Sequence, residues 1–298
     1  MENINKVRII GTLAKADTKE ITSKNGGQYI SVEAQVEEGG NTFDVRFFAG
    51  RTKADNTDNP MYDQYNSIQY KIGSRVNILG SLEENPWYDA KNKQVKTSVR
   101  INGRFISDAT IAENDTATFE VSGFILSALT EKKDKNGVAY RYDINVAVPN
   151  YNASKIQNIT LNTSVAPAPG TTDIYYAADI IEALSNLKVG QSVKLEGDLI
   201  SIVTTQTVEE KHGFGKPTYK TFTNVNKRFN ITAGDPDVEN PIDMATVKEL
   251  VSGYKASLAE VEAKGIEKAK SNGNGNGNGG ATSNTSSVSQ ADEVYTLL

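Results

Sequence analysis

At about 150 residues per domain, a chain of 298 residues holds about two domains. It has no cysteine, which excludes a disulfide framework, a thiolate nucleophile and Cys-ligated zinc or iron–sulfur sites. A single histidine, His212, leaves no His-rich metal site and no triad built on imidazole. No cofactor and no enzymatic activity are therefore expected. The net charge of -5 is unevenly spread: 15 Lys+Arg against 14 Asp+Glu in 1–112, 12 against 14 in 113–235, and 5 against 9 in 236–298. That balance argues against coating duplex DNA through bulk charge, yet a local cationic face remains open. No apolar run approaches 18 residues, so no membrane partner is expected. The opening MENINKVRII lacks an apolar signal core, and the cytoplasm is the expected setting.

Short period-two runs separated by Gly and Asn read as strands. Val7–Leu13 is the first. Ile30, Val32, Ala34 and Val36 alternate with Tyr29, Ser31, Glu33 and Gln35 in the second. Phe43, Val45 and Phe47 alternate with Asp44, Arg46 and Phe48 in the third. Met61, Tyr65 and Ile68 fit a short helix, and strands at Arg75–Leu82 and Val95–Ile106 follow.

The order then recurs. Ile72-Gly73 through Leu82 matches Val189-Gly190 through Leu199 at an offset of 117. Gly11 answers Gly123, Lys24-Asn25-Gly26 answers Lys135-Asn136-Gly137, and Phe105 is matched to Phe229. Several features in one order point to a tandem repeat. In the second copy Ala177, Ile180, Ile181, Leu184 and Leu187 share a helical face. Five strands with a helix between the third and fourth is the order of the OB-fold.

The expected fold class is all-β: two tandem five-stranded OB-fold barrels, at 1–112 and 113–236, then a C-terminal amphipathic helix and a disordered tail. The helix, within 237–270, is carried by Val247, Leu250, Val251, Tyr254, Leu258 and Val261. Residues 271–298 form a Gly/Asn/Ser linker with an acidic, apolar tip.

The segments NKVRIIGTLAK, TFDVRFFAG and YKIGSRVNILGSLEENPWYDAKNKQ resemble single-stranded DNA-binding proteins of the bacterial and phage kind. The resemblance covers residues 4–107 well and 118–231 more loosely. It implies a hairpin aromatic at Trp87 and a DNA-stacking aromatic at Phe43. It also implies a tail tip that recruits replication or recombination proteins: Asp292, Glu293, Val294, Tyr295, Leu297 and Leu298. Two departures stand out. The chain carries two such domains rather than one, leaving the oligomeric state open. Its tip reads EVYTLL rather than acids closing in Pro-Phe, leaving the partner open.

Sequence-independent binding of single strands needs cations along the phosphates and aromatic rings on which bases stack. The first copy offers Lys6, Arg8, Phe43, Arg46, Phe48, Trp87, Tyr88, Lys91, Lys93, Lys96, Arg100 and Arg104. The second offers Arg141, Lys211, Phe214, Lys216, Tyr219, Lys220, Phe222, Lys227 and Arg228. Phe43 and Phe47 share the parity of Val45 and so suit a core equally well. HGFGKP lacks the Ser/Thr and helix of a phosphate-cradling loop and reads as a hairpin tip. The expected function is single-stranded DNA binding in replication, recombination or repair. The alternative is an OB-fold structural or interaction module of a phage assembly without nucleic acid.

Overall fold

The computed structural model describes residues 2–150, 152–165, 177–210, 214, 216 and 218–272. In chain order the elements are β1 (Asn5–Thr22), β2 (Gln28–Glu38), β3 (Asn41–Gly50), α1 (Pro60–Asn66), β4 (Arg75–Asp89) and β5 (Gln94–Asp108). There follow β6 (Thr116–Ile125), β7 (Thr130–Lys133), β8 (Ala139–Pro149), β9 (Ile156–Ser164), α2 (Ala177–Ser185), β10 (Ser192–Glu210), β11 (Thr218–Asp235) and α3 (Met244–Asn272). Both short helices fall where the apolar spacing places them. Asn59 caps α1, its side chain accepting from the Met61 amide, and Pro60 opens the first turn.

The fold class departs from the expectation of two separate five-stranded all-β barrels. The strands make one 11-stranded sheet in the order β2-β3-β5-β4-β1-β6-β10-β11-β9-β8-β7, and with its helices the chain is a mixed α/β structure. The sheet itself is mixed, because β3 pairs parallel with β5 and β9 with β11. Additional pairings join β1 to β2 and β6 to β8. The physical reason for a single sheet is the ladder between β1 and β6, from Asn5↔Val121 to Ile10↔Thr116. Alternation reports which face of a strand is buried, but not which other strand takes up its edge.

Four glycines mark close backbone approaches. A Cβ on Gly11 would lie 2.3 Å from the Glu37 carbonyl oxygen, and one on Gly123 2.1 Å from that of Ala147. The corresponding approaches are 2.4 Å from Gly80 to Asn102 and 2.0 Å from Gly197 to Asn230. Register shifts accompany the latter pair, at Leu79/Gly80 and Glu196/Gly197. Cross-strand partners also correct one sequence match. Leu82 faces Ile101 and Leu199 faces Phe229, so Phe229 stands where Ile101 stands. Phe105 instead faces Leu79, and both are exposed.

One apolar core runs through both halves, from Phe47 and Ile78 to Ile144 and Leu195. A smaller one joins Phe124, Leu126, Ala147 and Ile156 to Val247, Leu250, Val251 and Tyr254 of α3. Asp243 caps that helix through the amides of Ala245 and Thr246.

Between these regions lies a buried carboxylate. Glu84 on β4 accepts from the Tyr254 hydroxyl at 2.5 Å and from the Asn158 amide at 2.8 Å, while its own amide donates to Gln157 Oε1 at 2.8 Å. It therefore ties β4 to β9 and α3. Burial raises its pKa above the ordinary Glu value, against the opposing pull of both hydrogen bonds. Glu84→Ala should cost about 1–3 kcal/mol for each donor it orphans, read by urea unfolding. Glu84→Gln keeps an acceptor for Asn158 and a donor for the Tyr254 oxygen, and should be far milder. Folding thus shifts the Glu84 carboxyl toward its protonated form. The wild type should therefore lose stability relative to Glu84→Gln as pH rises from the ordinary Glu range through the raised value.

Candidate nucleic-acid interface

The outer face of β2 and β3 carries an aromatic and cationic strip. Asp44, Arg46 and Phe48 alternate outward while Phe43, Val45 and Phe47 point into the core. Phe48 is 47% exposed, and its ring stacks on Tyr29 of β2 with centroids 5.5 Å apart and planes 13° apart. The Arg46 guanidinium lies 5.5 Å from the Phe48 ring centroid and 3.5 Å from the Glu33 carboxylate. Further along, Lys227 of β11 reaches Asp44 at 2.8 Å, and the Ser201 amide of β10 donates to Asn41. Burial alone would raise Asp44. The Lys227 ammonium and the Gln35 amide outweigh it and hold the carboxyl below its usual range.

Two long hairpins extend from the sheet. In the β4–β5 arm, Trp87 is half-buried opposite Lys96, and Lys96 bonds Asp89 at 2.5 Å. That bond, then Asn92, depresses the Asp89 carboxyl well below its usual range. Arg100 pairs with Glu83 at 3.1 Å, and Lys91 and Lys93 are exposed at the turn. Tyr88 lies on the opposite face, against α3. Arg104 sits at the register shift and is exposed beside Phe105, so alternation does not carry it onto the side shared by Lys96 and Arg100. In the β10–β11 arm Tyr219 and Phe222 are 65% and 52% exposed, and Lys220 pairs with Glu210 at 2.8 Å. Lys216 is exposed ahead of β11.

Of the remaining residues, Lys6 and Arg8 line one cavity with Arg104 and Phe105, and Arg141 lies near Arg228. Lys6 lies 3.8 Å from Glu120, and Arg8 bonds Glu113 at 2.8 Å. Arg141 pairs with Asp143 at 2.7 Å. Arg228 is half-buried against Ser164, and burial followed by the nearby Arg141 lowers its pKa. Phe43 is 2% exposed and belongs to the core, so its ring offers no stacking surface. Lys211 and His212, and the tip residues Asp292, Glu293, Val294, Tyr295, Leu297 and Leu298, lie outside the described residues.

Alternation alone leaves Tyr29 undecided between surface and core; its stacking follows once β2–β3 register places Phe48 opposite Ser31. Among the described residues no group of three or more His, Asp or Glu could hold a metal ion. Nor is any helix among them long and apolar enough to cross a membrane.

Solved structures with the same fold include the wild-type single-stranded DNA-binding protein from Thermus aquaticus. It matches at 14% identity over 82% of this chain and 97% of that one, with a TM-score of 0.50. A deletion mutant of that same protein matches at 14% identity over 81% and 98%, also at 0.50. The likeness is one of fold alone. A family model named YorF matches residues 3–264, and the chain belongs to the YorF family. No curated protein matches it in sequence.

The division of β3 into two faces gives a direct test. Phe47 is fully buried, with the Gly103 backbone against its ring, and Phe47→Ala should cost about 3–5 kcal/mol. Phe48→Ala removes an exposed stack and should cost about 1 kcal/mol. Urea unfolding of the two variants separates them.

Proposed function

We propose that this protein binds single-stranded DNA without sequence preference, in replication, recombination or repair. The observation that carries the reading is the Tyr29–Phe48 stack with Arg46 beside it. An aromatic pair with Phe48 exposed and Tyr29 half-buried, next to a guanidinium, suits an unpaired base and its phosphate. The fold shared with a single-stranded DNA-binding protein supports the same reading. Trp87 and the exposed rings of the β10–β11 arm, Tyr219 and Phe222, extend the surface on this view. We assign 1–112 and 113–236 as two repeated binding units. The tip at 292–298 is then a tethered peptide for a protein partner, and removing 273–298 should leave DNA affinity unchanged or slightly higher at low salt.

Phe48→Ala should weaken oligo-dT binding by about 1–3 kcal/mol with the fold retained. Fluorescence titration against Trp87, the sole tryptophan, reads this directly. Equal affinity of Phe48→Ala and wild type would remove the central contact.

A second reading, an interaction module of an assembly, is favoured by one observation. Lys6, Arg8, Arg46, Lys96, Arg100, Arg141, Lys220 and Lys227 all sit in ion pairs. Lys91, Lys93, Arg104 and Lys216 make none among the described residues. Four phosphate contacts correspond to a slope of log K against log salt of about -3 for a single strand, against about -10 if all the nominated cations engage. A shallow but measurable slope is expected; absence of any binding at low salt would select the second reading.

A further inference from the structure

We propose that the second half of α3 is a splint for the β4–β5 arm, and that it fixes which face of the arm is presented to nucleic acid. The functional half of this inference rests on the DNA-binding reading above. A two-stranded ribbon is marginal by itself in water. Beyond Leu82↔Ile101 the arm is such a ribbon, paired as far as Asp89↔Gln94. Its strand residues alternate: Glu84 and Tyr88 face one way, Glu83, Trp87 and Asp89 the other.

The first face is taken by α3, which lies against β4 and β5. The buried stripe Val247, Leu250, Val251, Tyr254 continues through the half-buried Leu258, Val261 and Gly265, at the 3-and-4 spacing of one helical face. The contact is fastened at two points. Tyr254 bonds Glu84 at 2.5 Å. Three turns on, a Cβ on Gly265 would fall 2.1 Å from Tyr88 Cβ and 2.4 Å from its Cγ. The helix rises about 16 Å between Tyr254 and Gly265. The strand advances about 13 Å between Glu84 and Tyr88. Helix and arm therefore run side by side in the same direction. Tyr88 is on this account a docking residue for α3, and Gly265 is the gap that admits it. Trp87, with its back to the helix, is left as the aromatic of the open face.

α3 carries its own control. A Cβ on Gly253 meets nothing within 4 Å. The experiment compares Gly265→Ala with Gly253→Ala in the full chain by amide exchange over residues 85–97, Trp87 anisotropy without DNA, and oligo-dT titration. Gly265→Ala should raise exchange in the arm at least tenfold, lower the anisotropy and weaken oligo-dT binding several-fold. The thermal midpoint should stay close to wild type. Gly253→Ala should change none of these except to raise the midpoint slightly. As a reciprocal lesion, Tyr88→Ser should raise exchange over 258–270 of the helix. If Gly265→Ala matches Gly253→Ala in exchange and anisotropy, or Tyr88→Ser leaves the helix protected, the splint is overturned. If the arm loosens but oligo-dT affinity holds, its role in presentation is overturned. A wild type that binds no oligo-dT overturns the DNA-binding reading alone, because exchange and anisotropy still decide the splint.

Discussion

β1 and β6 lie antiparallel, edge to edge, and the architecture depends on that ladder. A strand edge left open is a row of unpaired amides and carbonyls, a template for unwanted pairing. Here β1 gives its other edge to β4 over Val7–Thr12 and its far end to β2 over Thr12–Thr22. β6 likewise gives its other edge to β10 and its end to β8. The strand order of the sheet ends at β7, which has only four residues. The ladder also makes the two halves share one core, in which Ile9, Ala117 and Val121 cluster with Phe47 and Ile144. Relative motion of the halves would break backbone bonds and open that core together. Lys227 to Asp44 and Ser201 to Asn41 add cross-ties at the base of the β10–β11 arm.

The glycines were legible because their role is steric and local. Gly11 with Gly123, and Gly80 with Gly197, sit where a neighbouring carbonyl approaches within 2.4 Å of a would-be Cβ. No other residue satisfies such a contact without moving backbone, so the same letters recur at the same places. The match of Phe105 to Phe229 failed because it followed residue type across a register shift. Past Leu79/Gly80 the β4–β5 pairing slips, and Phe105 turns outward. Period-two reading holds only as far as the next bulge.

The candidate interface was half legible for related reasons. Alternation placed Arg46 and Phe48 together on the outer face of β3, since it needs only the parity of one strand. The same parity places Phe43 beside Val45, in the core. Ion-pair partners were not legible: Lys227 and Asp44 are 183 residues apart and meet only because β10 and β11 fold back over β3. Nor was the helix contact, although an interior glycine in a long helix is a costly choice, about 1 kcal/mol against alanine. Gly265 carries that cost next to Tyr88.

Ion pairing shapes what such a surface can select. A phosphate that uses Arg46, Arg100 or Lys227 meets Glu33, Glu83 or Asp44 on the same cation. Whether it shares the cation or displaces the acid, a carboxylate stays beside the incoming strand, so the electrostatic gain per phosphate is small. The carboxylates nevertheless hold the cations in place and spare the ordering of long side chains on binding. Stacking on Phe48, Tyr29 and Trp87 displaces no carboxylate, although Phe48 and Tyr29 already stack on each other with Arg46 against Phe48, and it requires base faces that are free. Within a duplex those faces are covered by neighbouring base pairs, and only phosphates are offered. Under the function proposed above, a surface whose cations are mostly paired and whose rings carry no carboxylate favours the single strand over the duplex through what it withholds from phosphate as much as through what it offers to bases.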